Sequence, residues 1–241
     1  MLPYTKPHLS FDDQVQLLKS RGMVVDDPAA AAELLSVVGY YRLSGYGYPY
    51  RRQLGNRQRD DQFVAGTNFS TVVRLYDADR RLKLHVLDDV ERVEILDLGS
   101  AAHLYRGLKA VDRTAIAQDL DIVDGLGRGN GHTLGNWLRV LNYVRNICAH
   151  HSRLWNRHMV NKIGARQLAT IPELQHLSAP EVSHHRIYST LCVLAFLLQR
   201  IGQGDWASGV RELITVEIPA CGRGLSEMGF PAGWEGRWPW M

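Results

Sequence analysis

Apolar positions recur along the chain at intervals of three, four and seven residues, the spacing of helices buried on one side. Phe11, Val15 and Leu18 follow Ser10-Phe11-Asp12-Asp13, in which Ser10 has the place of an N-cap with an acid three positions on, and the segment stops at Gly22. Asp27-Pro28 opens a second helix, aspartate as cap and proline in the first turn, with Leu34, Leu35 and Val38 leading to Gly39. Residues 40–52, rich in Tyr, Gly and Arg, read as a short extended or irregular section, and 54–66 as a flexible polar connection. Ser70 is the expected cap of a long helix reaching about Tyr105, with Val72, Leu75, Leu82, Val86, Val90 and Val93 as its buried stripe. A second stripe of Val73, Tyr76, Leu84, Leu87 and Leu98 predicts burial on more than one side. The glycine-rich run 125–131 is a loop; no strand pattern precedes its GxGxG, so a dinucleotide fold lacks its context. A helix from about Thr133 toward Trp155 presents Leu134, Trp137, Leu138, Leu141, Val144 and Cys148. Another, from about Pro180 to Ile201, presents Tyr188, Leu191, Leu194, Ala195 and Leu198. After Trp206, Leu213 and Ile214, a tail carrying Phe230, Trp234, Trp238 and Trp240 is expected to pack against the bundle. The predicted fold class is all-α: a helical N-terminal extension over 1–66, then a helical bundle with a Trp-rich C-terminal tail over 67–241.

Composition narrows the class. With 45% hydrophobic residues and a net charge of only +3 in 241 residues, a dominantly disordered chain is excluded. The longest apolar run, Leu191 to Leu198, falls far short of the ~20 residues needed to cross a bilayer. Residues 1–8 lack an apolar stretch of the kind a secretory signal carries. Cys148, Cys192 and Cys221 contain no CxxC pair and fit reduced thiols, so a cytoplasmic location is expected. The charge is unevenly spread. Between Gly125 and Pro172 there is no Asp or Glu, while Arg128, Arg139, Arg145, Arg153, Arg157, Lys162 and Arg166 fall there with His132, His150, His151 and His158. The remaining chain carries 21 basic against 25 acidic residues. One strongly positive stretch in a near-neutral protein points to a polyanionic partner.

Candidate chemistry concentrates in Tyr143 to Arg157. On an ideal helix Asn142, Asn146, His150, Arg153 and Arg157 form one polar stripe, whereas Arg145 lies ~140° from His150. The two meet only if the helix ends or bends there, or if a second copy completes the site. An imidazole titrating near neutrality and a guanidinium that forks onto phosphate oxygens suffice for metal-free RNA cleavage by the 2′-hydroxyl. Cys148, His150 and His151 lack the donors for a tetrahedral metal site unless His184 and His185 join them. No metal or cofactor is expected. Ser152 beside His151 has no activating acid nearby in sequence. Glu91, Glu94 and Asp97 read as a solvated helix face, with orientation of Arg145 or a histidine as the alternative. Tyr40, Tyr41, Tyr46, Tyr48 and Tyr50 beside Arg42, Arg51 and Arg52 suit either stacking on single-stranded RNA or packing of the N-terminal segment.

Arg145-Asn146-Ile147-Cys148-Ala149-His150 resembles the R-x4-H motif of the HEPN superfamily, whose catalytic members are metal-independent ribonucleases. In order around it stand Val38-Gly39-Tyr40-Tyr41-Arg42-Leu43-Ser44-Gly45-Tyr46, Leu75-Tyr76-Asp77-Ala78-Asp79-Arg80-Arg81-Leu82, Leu87 to Ile95, Cys148 to Arg157 and Met228 to Trp234. With these, nearly the whole chain resembles the Abi-like (AbiD/AbiF type) abortive-infection family. The resemblance implies a HEPN-type bundle and a homodimer whose two motifs form a composite RNase site. It implies Arg145 and His150 as the catalytic pair, Asn146 in the motif's polar second position, and a role in phage defence or as a toxin, in some members restrained by a small RNA. His151 is a further catalytic candidate, and Arg139, Arg153, Arg157, Lys162, Tyr40, Tyr41 and Arg42 are candidates to bind RNA. The alternative is a protein that holds a small structured RNA without cutting it.

Overall fold

In a computed structural model, which describes residues 9–55, 58–94, 101–165, 168–203 and 206–241, helix α1 (Phe11–Ser20) begins where the Ser10 hydroxyl accepts the Asp13 N–H at 3.1 Å. Helix α2 (Pro28–Val38) begins where the Asp27 carboxylate accepts Ala30 N–H at 3.0 Å. Both starts follow the capping chemistry of the sequence. The fold is mostly helical, with two short strands among the described residues. The chain divides into two compact units, 1–77 and 78–241.

In the first unit, residues 40–52 are not irregular. They form α3 (Tyr40–Gly47), a 3-10 turn (Tyr48–Tyr50) and strand β1 (Arg51–Gln53). Poor helix formers dominate α3, but burial of Leu43 and of Tyr46, whose ring meets Tyr76 edge-on at 5.4 Å, overrides propensity. Nor is 54–66 only a connection. Strand β2 (Arg59–Phe63) pairs antiparallel with β1, Arg51 opposite Phe63, and Gly47 lies where any Cβ would touch the Phe63 ring at 3.4 Å. Asp61 pairs with Arg51 at 2.7 Å and Arg21 at 3.2 Å, and Asp60 pairs with Arg52 at 2.8 Å.

Helix α4 (Phe69–Glu94) starts in the first unit and continues into the second. Its cap is Asn68, not Ser70: the Asn68 Oδ1 accepts Ser70 N–H at 2.8 Å. All six residues of its expected stripe are buried. The second stripe fails as a buried face, since Leu84 is 53% exposed; Leu98 lies outside the described residues. The predicted continuation toward Tyr105 crosses 95–100, also outside them, and helix α5 (Ala101–Gly107) follows.

The rest of the second unit is built around helix α8 (Tyr188–Arg200), which starts at Tyr188 rather than near Pro180. Every residue from Tyr188 to Leu198 is buried, Ser189 and Thr190 with the apolar run Leu191–Leu198 that follows them. Helix α7 (Gly131–Ala149) packs against it, with Trp137 edge-on to Phe196 at 5.8 Å. Helix α6 (Ala110–Asp119), which the sequence did not disclose, also packs on α7. Helix α9 (Trp206–Glu212) passes into a π-helical stretch, Leu213–Glu217. The tail does pack on the core: Phe230, Trp234 and Trp240 are buried with mutual ring distances of 4.9–5.6 Å, and Phe230 lies 4.6 Å from Tyr188. No described helix is long and apolar enough to cross a membrane.

Candidate functional site

Helix α7 buries Leu134, Trp137, Val140, Leu141, Val144, Ile147 and Cys148. The opposite face leaves Arg139, Asn146 and His150 exposed and Arg145 half-buried. Asn130 starts the helix by accepting Thr133 N–H at 3.1 Å. The helix ends at Ala149, not near Trp155, with His150 as C-cap. His151 N–H donates to Cys148 O at 2.9 Å and Ser152 N–H to Ile147 O at 3.0 Å, the two bonds of a Schellman close. That close needs a left-handed residue, and His151 supplies it at φ 53° where glycine is usual.

The polar stripe drawn on an unbroken helix is therefore cut at His150. Beyond the turn Leu154 and Trp155 are fully buried, Arg153 and Arg157 half-buried. What holds this turn is a carboxylate on α4. Asp79, with 0% of its surface exposed, accepts Trp155 N–H at 2.7 Å and Leu154 N–H at 3.1 Å. Lys83, one turn on and also buried, lies 3.2 Å from it. Sequence reasoning assigned these two no role. Their signal was available: Asp79 and Lys83 are charges set within the apolar stripe that includes Leu75, Leu82 and Val86, where a charge persists only if paired.

Arg145 donates to Asn146 Oδ1 at 3.3 Å, and its Nε is buried without an acceptor; Arg157 Nε is in the same condition. Among the described residues no hydrogen bond joins Arg145 to His150. Lys162 Nζ lies 3.3 Å from His185 Nε2, and the His185 ring stacks on His158 at 4.7 Å, adding a second basic cluster. Arg139 is exposed on α7 at a cleft beside α5 and α6. Arg153 is half-buried and is not without a partner. In the first unit Tyr41 and Arg42 are exposed, whereas Tyr40 accepts a hydrogen bond from Arg21 at 3.0 Å. Tyr46 is buried and Arg51 is ion-paired and largely covered, so these two pack the unit, while Arg52 pairs with Asp60 at the surface.

Burial, reinforced by the Asp79 charge, pushes the Cys148 thiol up to about 12, so it stays protonated at neutral pH. Among the described residues no three His, Cys, Asp or Glu side chains gather as metal ligands. Glu91 is exposed; the Glu94 side chain, Asp97 and Arg166 lie outside the described set. The glycine-rich loop does not offer its amides to a phosphate: Asp124 already accepts Leu126 N–H at 2.8 Å and Arg128 N–H at 3.1 Å. Arg128 is also paired with Asp124 at 3.3 Å, which removes one cation from the positive stretch.

Comparison with known proteins adds one finding. The family model for Abi-like protein matches residues 33–96 and 93–156. No curated protein and no solved structure matches significantly. The matched span covers half the chain, from α2 to the turn that Asp79 fastens behind α7, and the chain belongs to the Abi-like family of abortive-infection proteins.

Proposed function

We propose that this Abi-like protein is a metal-independent endoribonuclease of the HEPN type, acting in phage defence or as a toxin. The observation that carries the reading is the end of α7: an exposed His150 on the helix cap and a half-buried Arg145, in a stretch without carboxylates. The chemistry runs without a metal. An imidazole takes the 2′-hydroxyl proton, the 2′-oxygen bonds to the adjacent phosphorus, and the P–O5′ bond breaks. A proton delivered to the 5′-oxygen completes the step, leaving a 2′,3′-cyclic phosphate and a 5′-hydroxyl. Arg145 stabilises the extra charge on the phosphoryl oxygens in the transition state. Because Arg145 and His150 diverge on one helix, two copies facing each other supply the convergent pair, with Asn146 and His151 beside them. Arg153, Arg157, Arg139 and Lys162 bind flanking phosphates; Tyr40, Tyr41 and Arg42 of the first unit are a separate candidate for RNA contact. A small RNA occupying this surface is the reading's natural restraint, and the cytoplasm its natural compartment.

Incubation with total cellular RNA in EDTA, followed by mapping of product ends, tests the reading. Cyclic phosphate termini are expected from the wild type, and a loss of at least ~10²-fold in rate from Arg145→Ala and from His150→Ala at unchanged thermal stability. Full cleavage by both variants overturns the assignment. A second reading, binding of a small RNA without cleavage, rests on the same acid-free basic stretch. It predicts salt-dependent binding and intact RNA in the same experiment.

A further inference from the structure

A cleft of about 350 Å³ opens between α5, α6 and the first half of α7. Its charged lining is of one kind: Arg106, Arg113 and Arg139, with His103 and His132, and no carboxylate among the described residues that line it. Three guanidiniums around one concavity repel one another, and an unneutralised group of this kind is matched by an anion. Arg106 lies 3.3 Å from His103 Nδ1. A guanidinium only donates, so Nδ1 accepts and the ring's other nitrogen carries the hydrogen. The guanidinium carries further N–H donors, the complement of phosphate oxygens. The first turn of α7 also lies on the wall, adding the positive end of a 19-residue helix.

This cleft is built rather than accidental. The Tyr105 hydroxyl lies 2.9 Å from Arg113 O and 3.0 Å from Gly131 O, tying the three helices at the floor. A Cβ at Gly131 would come within 2.9 Å of the Arg113 backbone, and one at Gly135 within 3.3 Å of the Tyr105 ring. Asn136 accepts Gly164 N–H at 3.1 Å and so fastens the loop that follows Lys162 to the same wall. Along α7, Arg139 stands ~9 Å before Arg145 and ~16 Å before His150 at 1.5 Å per residue. A strand lying in the cleft reaches the candidate site within a few nucleotides.

We propose that the cleft formed by Arg106, Arg113 and Arg139 is a binding groove for the phosphodiester backbone of single-stranded RNA, which it feeds toward the end of α7. The inference rests on RNA being the partner, but not on cleavage. The test uses the full-length chain and a fluorescent single-stranded RNA with 2′-O-methyl groups, which has no free 2′-hydroxyl and cannot be cut. Fluorescence anisotropy in EDTA is followed over a series of salt concentrations. Changing the three arginines together to Gln is expected to weaken binding about 10- to 100-fold and to reduce the slope of log K against log salt by about 2, at ~0.7 per phosphate contact. The triple Lys variant is expected to keep the slope, which separates lost charge from lost structure. Should the triple Gln variant fail to fold, Arg106→Gln, Arg113→Gln and Arg139→Gln singly are each expected to reduce it by ~0.7.

An unchanged slope and affinity in folded Gln variants overturns the groove while leaving cleavage by Arg145 and His150 standing. Intact natural RNA with the expected slope changes upholds the groove and removes the nuclease reading instead. Displacement of the oligonucleotide by inorganic phosphate or a mononucleotide at equal phosphate concentration also overturns it, assigning the cleft to a free phosphate.

Discussion

His151 and Asp79 show how single residues set the shape of the candidate site. The left-handed backbone at His151 costs an L-residue roughly 1–2 kcal/mol that glycine does not incur. His151→Gly is therefore expected to stabilise the chain by up to about 1 kcal/mol, a rise of about 2–4 °C in melting temperature. A fall in melting temperature would contradict the strain argument. RNA cleavage by the same variant then reports whether the imidazole is kept for chemistry. Asp79 is a stronger constraint, because it satisfies two buried amides and one buried ammonium at once. Asp79→Ala is expected to cost about 3–5 kcal/mol in urea unfolding, since Lys83 is left charged and unpartnered by carboxylate in the core. Asp79→Ala with Lys83→Met should recover part of that loss, and a strictly additive double variant would deny the coupling. Among ionisable groups, burial raises the Asp89 carboxyl to about 6, while the Trp206 indole N–H that donates to it pulls the other way. The folded chain thus holds this proton where the unfolded chain, at about pH 4, has released it. The stability Asp89 contributes is present below pH 4 and declines as pH rises through 6. Asp89→Asn should accordingly raise the melting temperature by several degrees at pH 7.5, about 1–3 kcal/mol, and by little at pH 4. Equal gains at both pH values would refute the assignment.

At the level of elements, close approach decides more than propensity does. Helix α6 and the loop after it meet so tightly that a Cβ on Gly129 would stand 2.0 Å from Thr114 O. Gly125, four residues earlier, faces open space at an ordinary φ. Gly129→Ala is expected to destabilise by about 1–3 kcal/mol, and Gly125→Ala to be neutral or stabilising by a few tenths, in the same thermal melts. Similar effects at both positions would show that the packing of α6 on the loop is loose. The starts of α1 and α2 were legible because Ser10 and Asp27 cap through local bonds, which depend only on the next few residues. Helix α3 was not, since its Tyr- and Gly-rich stretch turns helical for the sake of Leu43 and Tyr46. The end of α7 was missed by several residues because His151, not a glycine, closes it.

For the molecule as a whole, the uneven charge of the sequence acquires a place. Arg139, Arg145 and Arg157 lie along or just beyond one helix, and Arg106 and Arg113, outside the acid-free stretch, join Arg139 at the cleft. Conversely, Arg128 leaves the field through its pairing with Asp124, and Arg51 and Arg52 through pairing with Asp61 and Asp60. A count of charges along the chain shows neither the arginines that join this stretch in space nor the members that are neutralised. The matched family span joins the N-terminal helices to the end of α7, and with it the carboxylate on α4 to the turn that this carboxylate fixes.

The amino-acid order alone determined what short-range physics governs: helical periodicity, two caps, the buried stripe of α4, the apolar run Leu191–Leu198 of α8, and the Arg145–His150 segment with its missing carboxylates. Only the folded chain decided which long-range partners those residues found. It closed α7 on a strained histidine, set Asp79 under the following turn, and gathered arginines from three helices around one cleft. Local bonds need only neighbours in sequence, whereas burial and like-charge crowding depend on which distant segments share a surface.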